Sequence, residues 1–142
     1  MTHGDGPLTR NVRNYDRMMR ELVSQVRTSA DWAPLEQFIA VDDFQRVGVF
    51  REVQNWPAYV EMLTHWATSV DSFETTVRRI SELPGLVYYE IEERHRRGPE
   101  LNVVNSMTVF TFDDAGKISH LDVYLQQAPP APTEVSRTSG SR

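Results

Sequence analysis

The chain contains no cysteine, which removes disulfides, thiolate nucleophiles and cysteine-ligated zinc together and fits a reducing compartment. Nor does any stretch approach the roughly 18 apolar residues that suggest a membrane-spanning helix. Residues 1–7 have neither the basic start nor the apolar middle of a secretory signal. The expectation is a cytoplasmic protein with no membrane partner. Positive charge is also in short supply: 15 Lys and Arg stand against 20 Asp and Glu, a net charge of −5. Nucleic-acid binding is driven by basic surface, so no nucleic-acid partner is expected. The one basic cluster, Arg94-His95-Arg96-Arg97, falls where a turn is predicted and reads as a solvated hairpin tip. The four histidines show no metal-ligand spacing of the H-x-x-x-H kind, and no nucleophile-elbow, phosphate-loop or dinucleotide fingerprint is present.

What is there reads as one domain. At 142 residues the chain can bury a substantial core, and its balance of apolar and charged residues is that of an ordinary globular protein. Residues 1–8 read as a flexible lead-in, 9–126 as the domain, and 127–142 as a Pro- and Ser-rich tail with almost nothing to bury, hence disordered.

Helical periodicity comes first. Val12, Tyr15, Met18, Met19, Leu22 and Val26 recur at helix spacing over 11–29, with Thr9 available as N-cap. A short helix over 31–39 tolerates Pro34 in its first turn. Residues 41–44 and 46–50 are short strand candidates. A further helix over 55–67 has Asn55 as cap, Pro57 in the first turn, and Trp56, Tyr59, Val60, Leu63 and Trp66 as its stripe. Period-two patterning then predicts strands at 73–81, 86–94, 101–112 and 118–125, separated by Leu83-Pro84-Gly85, Arg97-Gly98-Pro99 and a turn at Gly116. Connections this short favour an antiparallel meander. Helices first and sheet afterwards make an α+β fold, in which N-terminal helices pack on a strongly curved antiparallel sheet and close a cone with an internal apolar pocket.

The last hairpin carries the main functional lead. If Asp113 faces Lys117, one face holds Ser106, Thr108, Phe110 and Phe112 opposite Tyr124, Asp122, His120 and Ile118. That face sets His120, Asp122 and Tyr124 in a row among apolar and hydroxyl neighbours. Asp122 is then either an acid in a pocket, its pKa raised by desolvation, or a solvated carboxylate that balances His120. His120 and Tyr124 are either hydrogen-bond donors to a substrate oxygen or structural groups. Glu90, Glu92 and Arg94 share one strand face and read best as exposed charge.

The order of elements resembles the SnoaL-like branch of the nuclear transport factor 2-like superfamily. Asp42-Asp43-Phe44 before Arg46-Val47-Gly48-Val49-Phe50, and the ending Asp114-Ala115-Gly116-Lys117-Ile118-Ser119-His120-Leu121-Asp122-Val123-Tyr124, carry the likeness. That resemblance implies a cone-shaped fold with a pocket between sheet and helices, no metal or organic cofactor, and homodimers formed through the outer sheet face. It implies an acid/base aspartate near the end of the chain, matched by Asp122 with His120 and Tyr124 assisting. It also implies substrate contacts from Tyr15, which matches the first-helix tyrosine of ketosteroid isomerases, and from Asp42 or Asp43 on the first strand, of which only one can face the pocket. Tyr59, Trp66, Thr108 and Phe110 complete the expected substrate-binding wall. The implied activity is a cyclisation, isomerisation or dehydration of a hydrophobic cyclic carbonyl compound. The rival expectations are a non-catalytic ligand-binding or dimerisation module, and an epoxide hydrolase built on Glu92, Arg94 and Asp122. In that last set the acid precedes the arginine, the reverse of the family's order.

Overall fold

The computed structural model describes residues 5–129. The flexible start and disordered tail expected from composition fall largely on residues 1–4 and 130–142, which lie outside the described residues. Helix α1 (Pro7–Val23), a 3-10 helix (Ser29–Phe38) and helix α2 (Trp56–Ser69) pack over one face of a six-stranded sheet. The strands are β1 (Gln45–Val47), β2 (Val53–Gln54), β3 (Ser72–Leu83), β4 (Leu86–Arg97), β5 (Glu100–Phe112) and β6 (Ile118–Gln127), in the spatial order β2-β1-β6-β5-β4-β3. The α+β class and the meander of the last four strands are as expected. The sheet is mixed rather than purely antiparallel, because β1 joins the free edge of β6 in parallel. The segment between β1 and β6 contains a helix and three long strands, so no tight turn dictates their relative direction.

Each helix shows what local sequence can and cannot specify. In α2, Asn55 accepts from the Ala58 amide at 3.0 Å, the cap that its position predicts. Helix α1 starts at Pro7, two residues before Thr9, so Thr9 lies inside the first turn and is not the cap. Pro7 supplies a fixed φ there and has no N–H to satisfy. The free amides are met from far away in sequence: Glu82 of β3 accepts from the Thr9 amide at 2.8 Å and from the Thr9 hydroxyl at 2.6 Å. A carboxylate at this end also complements the helix dipole. Helix α1 ends at Val23 rather than near residue 29, yet Val26 beyond it is still buried in the core.

Two further expectations change. Residues 41–43 form a turn, with the Asp43 amide bonded to the Ala40 carbonyl at 3.0 Å, so Asp42 lies exposed on a loop and not on a strand. The basic run 94–97 is not a hairpin tip but the end of β4, and the turn comes only at Gly98, whose φ is +57°. Alternation therefore continues through it. Arg94 points outward to Glu92 at 2.7 Å, and His95 points in.

The register of the last hairpin differs from the expected one by a single residue. The Asp113 amide does meet the Lys117 carbonyl, at 2.8 Å, Gly116 does take a positive φ of 79°, and Phe112 pairs with Ile118 as expected. The next pair, however, is Thr111 with His120, because Ser119 is the extra residue of a β-bulge. A one-residue slip moves every later side chain to the other face. Leu121, Val123 and Leu125 consequently face the cone, and His120, Asp122 and Tyr124 face away from it beside Thr111, Val109 and Met107.

Candidate functional site

The cone encloses a cavity of about 360 Å³. Its wall is mainly apolar and aromatic, with Met19, Leu63, Phe73, Ile91, Phe110 and Leu121 among the lining residues. Its polar groups fall into two sets.

The first set comes from β4. Val87, Tyr89 and Ile91 alternate into the core, and the same alternation continues to Glu93 and His95. His95 Nε2 lies 2.8 Å from one Glu93 oxygen, and the Ser106 hydroxyl of β5 donates to the other at 2.6 Å. From α2, the Trp66 indole N–H donates to His95 Nδ1 at 3.2 Å. That bond makes Nδ1 an acceptor and assigns the ring proton of a neutral imidazole to Nε2, facing Glu93. The rings of Trp66 and Phe73, with centroids 5.7 and 5.0 Å from that of His95, hold it in place. Glu93 and His95 keep only 19% and 13% of their side-chain surface exposed.

The second set joins α1, α2 and β1. Arg46 of β1 is buried, with its guanidinium carbon 5.0 Å from the Tyr59 ring centroid. Its Nη1 donates to Gln54 at 2.8 Å and lies 3.6 Å from Glu52. Tyr15 packs edge-on against Phe110 and Phe38. Burial pushes the Tyr15 hydroxyl well above the usual phenol range, with neighbouring Tyr59 and Asp16 adding to the effect. Burial also raises Tyr59, while the Arg46 charge pulls the other way. Both phenols are thus hydrogen-bond donors at neutral pH. Two buried side-chain atoms among the described residues have no hydrogen-bond partner, the Tyr15 hydroxyl and Arg46 Nε. A buried donor left unmet costs about 1–3 kcal/mol. A third phenol, Tyr89, donates to Asp16 at 2.9 Å, and burial followed by that carboxylate's charge raises it strongly.

Of the residues singled out in the sequence, Tyr15, Tyr59, Trp66, Thr108 and Phe110 line this cavity. Asp42 does not, lying on its exposed turn. His120, Asp122 and Tyr124 are on the convex face, where His120 Nε2 and Asp122 sit 3.1 Å apart and Tyr124 is 60% exposed. Glu92 and Arg94 share that outer face, so the acid–arginine–acid set is not assembled in the cone. Of the charged groups that line the cavity, Asp16, Arg46, Glu93, His95 and Arg97, none was expected there from the sequence. A signal for two of them existed: once Glu90, Glu92 and Arg94 are put outside, period two puts Glu93 and His95 inside. Arg46 gave no such signal, because a three-residue strand has too little pattern to show a face. No group of three or more His, Asp or Glu residues that could hold a metal occurs among the described residues, and no helix among them is long and apolar enough to cross a membrane.

No protein-family model and no curated protein sequence matches the chain. Solved structures do. A protein from Shewanella denitrificans OS-217 assigned as a SnoaL-like polyketide cyclase superposes with a TM-score of 0.70 at 11% identity, covering 97% of this chain and 100% of its own. A nuclear transport factor 2-like protein of unknown function from Exiguobacterium sp. 255-15 gives a TM-score of 0.67 at 11% identity, covering 83% and 99%. An epoxide hydrolase from M. tuberculosis gives 0.56 at 19% identity, covering 80% and 84%. Identities this low carry the fold and not an activity. The helices on a curved sheet, the enclosed cavity and these neighbours agree: the chain has the fold of the SnoaL-like proteins in the nuclear transport factor 2-like superfamily.

Proposed function

We propose that the chain is a cofactor-independent acid/base enzyme that takes a hydrophobic cyclic carbonyl compound into the cone and moves a proton beside the carbonyl, in a cyclisation, isomerisation or dehydration. The observation that supports this best is the setting of Glu93. Its carboxylate projects into an apolar cavity with one oxygen against His95 and the other receiving the Ser106 hydroxyl. A carboxylate oxygen has two acceptor positions, so each keeps one free. Glu93 is therefore the base, and His95 and Ser106 are positioning residues. As the C–H bond α to the carbonyl breaks, the proton passes to Glu93 and the electron pair moves to the carbonyl oxygen. Tyr59, protonated at neutral pH, donates to that oxygen as charge builds on it. Returning the proton to a different carbon completes an isomerisation.

Asp122 with His120 and Tyr124 is the competing assignment for the acid, and on the convex face it would serve a ligand bound outside the cone. The two assignments separate in one experiment, deuterium exchange at the α-carbons of a panel of cyclic ketones in D2O, followed by NMR. The native protein should accelerate exchange. Glu93→Gln should slow it by about a hundredfold or more, and Asp122→Asn should leave it unchanged. Exchange that survives Glu93→Gln in a folded protein overturns the assignment of Glu93 as the base, and no acceleration by the native protein overturns the enzyme reading and leaves a ligand-binding module on the same fold.

A further inference from the structure

Arg46 has the features of a ligand anchor. It lines the cavity, it is 8% exposed, and its Nη1 side is fixed by Gln54 and Glu52 while the Tyr59 ring lies against the guanidinium. Gly48 lies against this arrangement, and a Cβ there would push the Glu52 carboxylate aside. Nε is buried without a partner in hydrogen-bond geometry, and the guanidinium's hydrogen bonds, to Gln54 and to the Met62 sulfur, both leave from Nη1. The acids on the cavity wall, by contrast, are engaged. Asp16 accepts from Arg20 and Tyr89, and Glu93 is bonded to His95 and Ser106. The Tyr15 hydroxyl, a donor on the same cavity wall, also has no partner in hydrogen-bond geometry, although the Tyr59 hydroxyl lies beside it.

We infer that the ligand of the cone carries a carboxylate, received by the Nε and Nη2 edge of Arg46 with the Tyr15 hydroxyl as a further donor. The planar guanidinium fork matches a carboxylate bidentately. Besides Arg46 the wall carries Arg97, which donates to Ser69, and the acids Asp16 and Glu93, which would oppose a second negative charge placed beside them. The apolar wall takes the rest of the molecule. The substrate class of the preceding proposal narrows to a cyclic carbonyl compound with a carboxylic acid, and this refinement rests on the cone being the ligand site.

Calorimetric titration with 2-naphthoate and with its neutral isostere 2-naphthamide tests this without needing turnover. The native protein should bind the acid about tenfold more tightly than the amide or better, the worth of a charge-assisted hydrogen bond. Arg46→Gln should abolish the preference, and Tyr15→Phe should reduce it. Glu93→Gln should keep it, so that a failure of the proton-transfer reading and a failure of the anchor are told apart. Equal affinity for acid and amide in the native protein overturns the inference even if Arg46→Gln does not fold. A preference retained in folded Arg46→Gln overturns it as well.

Discussion

At the scale of single residues, the cavity holds buried donors that lack an acceptor in good hydrogen-bond geometry. Tyr15 is the clearest case, a phenol 4% exposed whose hydroxyl has no partner among the described residues. Tyr15→Phe keeps the ring contacts with Phe38 and Phe110 and removes the unmet hydroxyl. It should raise the stability of the ligand-free protein by up to about 1 kcal/mol, read as a higher Tm. The pH dependence follows from the raised phenol. The folded pKa lies above the unfolded value of 10.0, so the group's contribution is intact below about pH 10 and is lost as pH rises further and the unfolded chain ionises. Melts between about pH 8 and pH 11 should therefore show a shallower alkaline decline in Tyr15→Phe than in the native protein. A lower Tm at neutral pH would mean that the hydroxyl has a partner after all. Residue chemistry was the least legible layer of the sequence. Tyr15 stood out through its helix stripe, but its lack of a partner depends on Phe110, Tyr59 and Arg46, which arrive from three other elements.

At the scale of elements, one bulge decides which side chains enter the cone. Composition and alternation specify β5, β6 and the Gly116 turn, and the Asp113–Lys117 pairing follows from that turn. Counting outward from that turn then misassigned His120, Asp122 and Tyr124, because Ser119 is an uncounted residue in β6. A bulge has no composition of its own, and its place is chosen by what the strand must bury. Without it Leu121 would leave a core in which it is 2% exposed, and two ionisable groups would enter in its place. Deleting Ser119 should therefore do one of two things, unfold the protein or force the bulge to re-form at another residue. The expected outcome is a loss of at least about 3 kcal/mol in denaturant melts, from expelling buried leucine and burying charge. Near-native stability would show that the register is set elsewhere. Helix α1 makes the same point, since its amides are capped by Glu82, 73 residues away.

At the scale of the whole molecule, the convex face is what the fold leaves uncovered. Val109 pairs with outward Tyr88 and Met107 with outward Tyr124, while Tyr88, Val103 and Tyr124 are 37%, 41% and 60% exposed. Exposed apolar groups gathered on one uncovered face favour association. The expected state is a homodimer through this face, with a sedimentation mass near twice the 16.4 kDa of the chain. Tyr124→Lys should shift it toward the monomer. A native protein that stays monomeric at every concentration would end that expectation. The outward His120–Asp122 pair sits on the same surface and would then lie near the interface.

Sequence alone determined the helices, the four long strands and the fold class, though not the short edge strands, because helix and strand periodicity, Pro57 after Asn55, and glycines at positive φ are local signals that each element carries in itself. It also determined most of the cavity wall, since Tyr15, Tyr59, Trp66, Thr108 and Phe110 belong to stripes that must face the core. Tertiary structure decided most of the chemistry inside it. Glu93 and His95 became a pair through a strand that runs three residues past its expected end, Arg46 acquired its place from an edge strand too short to show a pattern, and Asp122 was turned outward by a single bulge. The physical reason is common to all three. Burial of the apolar wall fixes which way each strand faces, and polar side chains are carried in or out by that choice.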